Sequence, residues 1–164
     1  MNVFDDEILN LWKSFHKYEV RYILVGGFAV NFHQYWRATN DIDLFVDDTL
    51  ENRKKIRQVF NEIGLGDFEP IERVQFVAGW TDFRLNSVFR LDMMTSMKGL
   101  ENIGFDDCFN AAIVQQVHDV PVRVLHINHL LTNKKAVNIP KDQIDVIELE
   151  KIRQILEETQ KKQD

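Results

Sequence analysis

With 164 residues, 45% of them hydrophobic and including twelve Phe and three Trp, the chain has the material for one well-packed domain, which excludes a disordered chain. A net charge of −6 gives no global attraction for a long RNA or DNA. The lone Cys108 closes no internal disulfide, acids at Asp5, Asp6 and Glu7 stand where an export signal is basic, and no apolar run nears the roughly 20 residues of a bilayer span, so a cytoplasmic protein without membrane contact is expected.

Apolar Ile8, Leu11, Trp12 and Phe15 recur at helical spacing, which predicts an amphipathic helix over Asp5 to Lys17 whose role is packing. Tyr22 to Val25 reads as a short buried strand, broken by Gly26 and Gly27, with a helix over Phe28 to Tyr35 and a second strand over Asp41 to Val46. Asp47, Asp48 and Thr49 offer a turn and N-cap for a helix from Leu50 to Ile63, stopped by Gly64 and Gly66. A strand meander then follows over Ile71 to Val77, Phe83 to Leu85 and Val88 to Met93, with Ala78-Gly79 and Asn86-Ser87 as turns.

Gly99 to Asn110 reads as a loop and short helix. Ile113 to Val117 and Val122 to Leu125 flank His118-Asp119-Val120-Pro121 as a hairpin. Two helices finish the chain, one over Asn128 to Ala136 and one from Pro140, ahead of a frayed polar tail from Glu157 to Asp164. One domain spanning 1–164, with that tail, is expected.

Asp41 and Asp43 lie two apart on a strand and share one face, while Ile42 and Leu44 share the other. Two acids so placed suit a divalent cation, although solvated acids at a strand edge have the same spacing. The Gly26-Gly27 pair sits where a strand hands over to a helix, whose first N–H groups can receive phosphate oxygens. A tight turn needs the same two glycines.

Asp92 lies in the apolar run Val88 to Met94, where an ionised acid requires a positive partner: a metal shared with Asp41 and Asp43, or a salt bridge to Arg84 or Arg90. Three carboxylates around two Mg²⁺ ions support in-line nucleotidyl displacement, and Asp92 can also act as general base. Arg37 and Thr39 are close enough in sequence to Asp41 to reach a phosphate, and Arg37 can equally pair with an acid. Lys134, Lys135 and Lys141 can neutralise a triphosphate, while Lys141, Asp142 and Asp145 can instead pair along one helix face. His126 with His129 makes a poor metal site, Trp12, Trp36 and Trp80 read as core or rim, and Cys108 reads as inert.

Gly26-Gly27, thirteen residues, then Asp41-Ile42-Asp43-Leu44, with Arg37-Ala38-Thr39 before the acids and Asp92 on a later strand, resembles the signature of the nucleotidyltransferase superfamily that includes DNA polymerase beta. More closely it resembles the minimal abortive-infection and toxin–antitoxin nucleotidyltransferases and the small lincosamide-type antibiotic nucleotidyltransferases. Leu130-Leu131, Lys134-Lys135-Ala136, Lys141-Asp142 and Asp145 extend the match, which covers about Tyr22 to Ile152.

The resemblance implies an α/β (α+β) nucleotidyltransferase fold, a mixed sheet flanked by helices with C-terminal helices packed on the core. It implies transfer of a nucleoside monophosphate from a nucleoside triphosphate such as ATP to a hydroxyl, with release of pyrophosphate and Mg²⁺ as cofactor. Asp41, Asp43 and Asp92 take the catalytic and metal positions; Gly26, Gly27, Arg37, Thr39, Lys135 and Lys141 take the nucleotide positions. Many members have Ser where this chain has Gly27. The expected acceptor is a small molecule, such as an antibiotic, or a partner protein, as for an antitoxin that modifies its toxin. The alternative is an antitoxin-like binding module that keeps the fold without turnover.

Overall fold

A computed structural model describes residues 3–86 and 89–164, and of residues 3–5 the backbone alone. Its centre is a six-stranded mixed sheet in the order β3-β4-β2-β1-β6-β5. The strands are β1 (Tyr22–Val25), β2 (Asp41–Val46), β3 (Asp82–Arg84), β4 (Arg90–Met94), β5 (Ile113–Val117) and β6 (Val120–Val124). β1 runs antiparallel to β2 and parallel to β6, β2 runs parallel to β4, and the outer pairs β3–β4 and β5–β6 are antiparallel.

The helices are α1 (Val3–Lys17), α2 (Gly26–Phe32), α3 (Leu50–Glu62), α4 (Gly104–Ala111), α5 (Ile127–Val137) and α6 (Pro140–Lys161). Expectation and structure coincide for β1, β2 and β5. α1 buries Leu11, Trp12 and Phe15, with Trp12 stacked on Tyr22 at 5.7 Å between ring centroids. The Thr49 side chain caps α3 by accepting from the Asn52 N–H at 3.1 Å.

Several expectations differ, the largest differences being these. The helix after the glycines begins at Gly26 and ends at Phe32, rather than spanning Phe28 to Tyr35. The strand expected over Ile71 to Val77 is absent; a 3₁₀ turn over Glu69–Glu72, with Pro70 in its first turn, stands at its start instead. Arg53 Nη1 donates to the carbonyls of Ile71 (3.0 Å) and Val74 (2.6 Å), and Thr81 Oγ1 donates to that of Gln75 at 2.9 Å, so side chains take acceptors a sheet ladder needs. β6 starts two residues early because His118 and Asp119 turn in the left-handed region (φ +47 and +65), which fits a two-residue hairpin loop. α6 continues through the expected frayed tail to Lys161, since its Glu, Lys and Gln residues favour helix.

The start of the expected β4 strand at Val88, and Ser87 of the turn before it, lie outside the described residues. The core joins Ile23, Leu24, Ile42, Leu44, Leu91 and Met93 of the sheet to Phe15, Ile56 and Phe60 of the helices, all fully buried or nearly so. No helix among the described residues is long and apolar enough to cross a membrane.

Candidate functional site

The strand register builds the site. Val25 pairs with Asp43, Asp43 with Asp92 and Asp92 with Asp82, giving a single row across β1, β2, β4 and β3. The next row holds Asp41 opposite Arg90, and Arg90 opposite Arg84. Residues opposite one another on neighbouring strands share a face, so four carboxylates and two guanidinium-bearing residues crowd one side. Ile42, Leu44, Leu91 and Met93 on the alternating positions are fully buried, and that packing fixes which way the acids point.

The crowding shows in the electrostatics. Burial first, then the neighbouring carboxylates of Asp92 and Asp41, push the Asp43 carboxyl up to about 7, against the opposing pull of Lys141 and Lys134. Asp92 is 6% exposed, and burial raises its carboxyl as well, partly countered by the Gly79 N–H and by Arg90. Asp92 Oδ2 accepts from Gly79 N–H at 2.7 Å, whereas Oδ1 is buried with no hydrogen-bond partner among the described residues. The salt bridge considered for Asp92 goes to its neighbours: Arg90 Nε lies 3.6 Å from Asp41 Oδ1 and 3.7 Å from Asp82 Oδ2.

Among the described residues no group of three or more His, Cys, Asp or Glu side chains is already gathered around a point where a metal ion would sit. The donor chemistry still fits a hard divalent cation: oxygens only, one of them orphaned and buried, with too little positive charge nearby to ionise Asp43 at low pH.

The glycine turn presses on this row. Gly26 has φ +64, and a Cβ there would lie 2.1 Å from Asp43 Oδ2, so only glycine lets the backbone pass. A Cβ on Gly27 would lie 2.8 Å from Thr39 Oγ1 and 3.2 Å from Arg37 Nη1. The place a serine side chain would take is therefore filled by the Thr39 hydroxyl and the Arg37 guanidinium. α2 starts here without a side-chain cap from Val25, which leaves the N–H groups of its first turn open.

Arg37 is a clamp on the C-terminal helices. Its Nε and Nη2 donate to Asp145 Oδ1 and Oδ2 at 2.8 and 2.9 Å, and the Asn31 side-chain amide brackets the Arg37 peptide at 3.1 and 3.0 Å. Lys134 Nζ lies 2.8 Å from both Asp142 Oδ1 and Asp145 Oδ2. Burial works against the Asp145 charge, but Arg37 and Lys134 together hold its carboxyl below the usual range. The ion pairs considered along one helix face are thus replaced by a buried network joining the loop before β2 to α5 and α6. Exposed Lys141 makes no ion pair among the described residues.

A family model described as Nucleotidyl transferase AbiEii toxin, Type IV TA system matches residues 9–162. The chain belongs to this AbiEii nucleotidyltransferase family. It is also similar to the lincomycin-bound crystal structure of the lincosamide antibiotic adenylyltransferase LnuA, with TM-score 0.60 and 18% identity over 93% of this chain and 99% of that one, a likeness of fold. No curated protein matches the chain. The resemblance and the mixed α/β fold expected from sequence are both borne out.

The AbiEii-family chain brings together Gly26, Gly27, Thr39, Asp41, Asp43 and Asp92, with Lys134 and Lys141 acting on Asp43. Lys135 instead faces Glu150, with its Nζ 2.5 Å from Oε1. Sequence reasoning missed Asp82, because the strand was started one residue late at Phe83, and Asn31, which carries no motif. His126 is the N-cap of α5, its Nδ1 accepting from Asn128 N–H at 3.1 Å, and its ring centroid lies 6.2 Å from that of His129. Cys108 is buried, with its thiol pushed up by burial. Trp12 is core, but Trp36 and Trp80 are exposed.

Proposed function

We propose that this AbiEii-family protein is a Mg²⁺-dependent nucleotidyltransferase that moves a nucleoside monophosphate from a nucleoside triphosphate, ATP among them, to a hydroxyl of a small molecule. The observation that carries the reading is the Asp43–Asp92 pair: two carboxylates in register, one raised to about 7 and the other with a buried unpartnered oxygen. Groups buried at such cost are kept at functional sites.

The triphosphate lies against the Gly26-Gly27 turn, where the open N–H groups of α2, the Thr39 hydroxyl and the Lys141 ammonium meet its oxygens. Asp41, Asp43 and Asp92 would hold Mg²⁺, two ions by the family resemblance, which supplies charge neutralisation at the α-phosphate and the leaving pyrophosphate. The acceptor oxygen forms a bond to the α-phosphorus as the bond from that phosphorus to the bridging oxygen of the β-phosphate breaks. The electron pair leaves with pyrophosphate, and the acceptor proton passes to Asp92.

The family description supports the toxin side of a toxin–antitoxin pair, in place of the antitoxin expectation. A binding module without turnover has no use for a buried carboxylate oxygen that lacks a partner. Incubation with nucleoside triphosphates labelled at the α-phosphate, Mg²⁺ and a set of hydroxyl acceptors tests the reading. Label transfer with equimolar pyrophosphate, absent in Asp43→Asn, is expected; transfer that persists in that variant overturns the site.

A further inference from the structure

The row of acids has two ends. At one lies the glycine turn against Asp43; at the other, beyond Asp92, lie Asp82 on the edge strand β3 and the turn 77–81. That turn is braced on all sides. The Val77 carbonyl accepts from the N–H groups of Trp80 and Thr81, both at 3.0 Å, the Val77 N–H donates to Thr81 Oγ1 at 2.9 Å, and the Thr81 carbonyl accepts from Met93 N–H at 3.0 Å. Gly79 N–H donates to Asp92 Oδ2. The residue after Gly79 is Trp80, about 3.8 Å on between Cα atoms, and it is 84% exposed.

An indole this exposed gives up hydrophobic stabilisation, yet the residue before it, Gly79, ties the turn to Asp92, the most buried acid of the row. A braced turn that holds an aromatic face in solvent one residue from the N–H bound to Asp92 offers a surface on which a ring can stack.

We propose that Trp80 is the acceptor platform of this enzyme and determines acceptor specificity, which rests on the nucleotidyl-transfer reading above. If the triphosphate lies on the glycine turn, the α-phosphate lies over the acids and the attacking hydroxyl arrives from the opposite end, the β3 side, where Trp80 stands. The surroundings name the acceptor's chemistry. The indole takes the apolar C–H face of a ring, Asp82, with its side chain 34% exposed, accepts from ring hydroxyls, and Arg84 beside it donates to ring oxygens. The occupant is a small hydroxylated ring, a sugar or cyclitol, whose attacking hydroxyl stands at Asp92.

The test uses the full chain with Trp36→Phe, so that Trp80 is the exposed indole among the described residues and stacked Trp12 a constant background. Indole emission is followed while lincomycin, kanamycin and Mg²⁺–ATP are titrated separately. Quenching by lincomycin or kanamycin, lost in Trp80→Ala, is expected. In label transfer to whichever of the two accepts it, Trp80→Ala raises the acceptor KM about tenfold, leaves the ATP KM within about twofold, and is rescued by Trp80→Phe. Quenching by Mg²⁺–ATP alone, or a rise in the ATP KM, overturns the proposal by making Trp80 a nucleobase platform. Silence with both ring probes overturns it as well. Quenching by a ring probe without label transfer leaves the platform standing and sinks the transferase reading instead.

Discussion

Asp43 and Asp92 stand opposite one another on the parallel strands β2 and β4, and the Asp43 carboxyl is pushed to about 7 by burial, by Asp92 and by Asp41. The folded chain therefore holds a proton that the unfolded chain gives up near pH ~3.9. Between those two values the folded state binds more protons, so stability present below about pH 4 is lost as pH rises through about 7. Asp43→Asn removes this slope and raises stability at neutral pH by a few kcal/mol, at roughly 1.4 kcal/mol per pH unit of displacement. Urea unfolding in the presence of EDTA from pH 5 to 8 reads it; an equally steep slope in the variant would assign the shift to another group.

On the proposed function, a divalent cation at these acids would supply the missing positive charge. Mg²⁺ is expected to raise the melting temperature more at pH 8 than at pH 5, since protons compete at the lower pH. At a hundredfold excess over Kd the gain is about 2.7 kcal/mol. Chelation reverses it, and Asp43→Asn and Asp92→Asn each abolish it. An undiminished melting shift in Asp92→Asn would remove Asp92 from the ligand set.

The glycines separate sharply. Gly26→Ala places a Cβ 2.1 Å from Asp43 Oδ2 at φ +64, so it should cost about 1–3 kcal/mol and abolish label transfer. Gly27→Ala meets side chains only, Thr39 and Arg37. Its cost should therefore shrink in a Thr39→Ala background, a departure from additivity of at least about 0.5 kcal/mol in a double-mutant cycle by chemical denaturation. Additive costs would show that the contact with Thr39 is relieved elsewhere.

The strands that carry the acids are legible because period-two alternation in Asp41 to Leu44 is a local property, and burial of Ile42 and Leu44 enforces it. The partner of Asp92 was not, because Arg90 reaches Asp41 and Asp82 across strand neighbours that only the register defines. The expected strand over Ile71 to Val77 failed for a similar reason: its alternation is real, but Arg53, about twenty residues earlier, takes its carbonyls. Arg37 reads from the sequence as a phosphate contact or an ion-pair partner, but its partner Asp145 lies 108 residues on, beyond any spacing rule. What pairs locally was readable; what pairs across the fold was not.

Two lysines near Asp43 should behave in opposite ways. Lys134 is 5% exposed and holds both Asp142 and Asp145, themselves 5% and 0% exposed. Lys134→Met strands the buried Asp142 carboxylate, at an expected cost of about 3–5 kcal/mol. Replacing both members, Lys134→Met with Asp142→Leu, removes the stranded charge and should recover most of that loss. Asp145 keeps its two bonds from Arg37 in either case, so the loop before β2 stays joined to α6. Lys141 is exposed and makes no ion pair among the described residues, yet it acts on Asp43. Lys141→Ala should leave the melting temperature within about a degree, a surface change worth under ~0.5 kcal/mol. Its effect belongs to the substrate: losing one cation beside a triphosphate should raise the nucleotide KM about tenfold while kcat falls less. Thermal melts and transfer kinetics on the two single variants divide the roles, and a stability loss in Lys141→Ala as large as in Lys134→Met would make both lysines part of one scaffold.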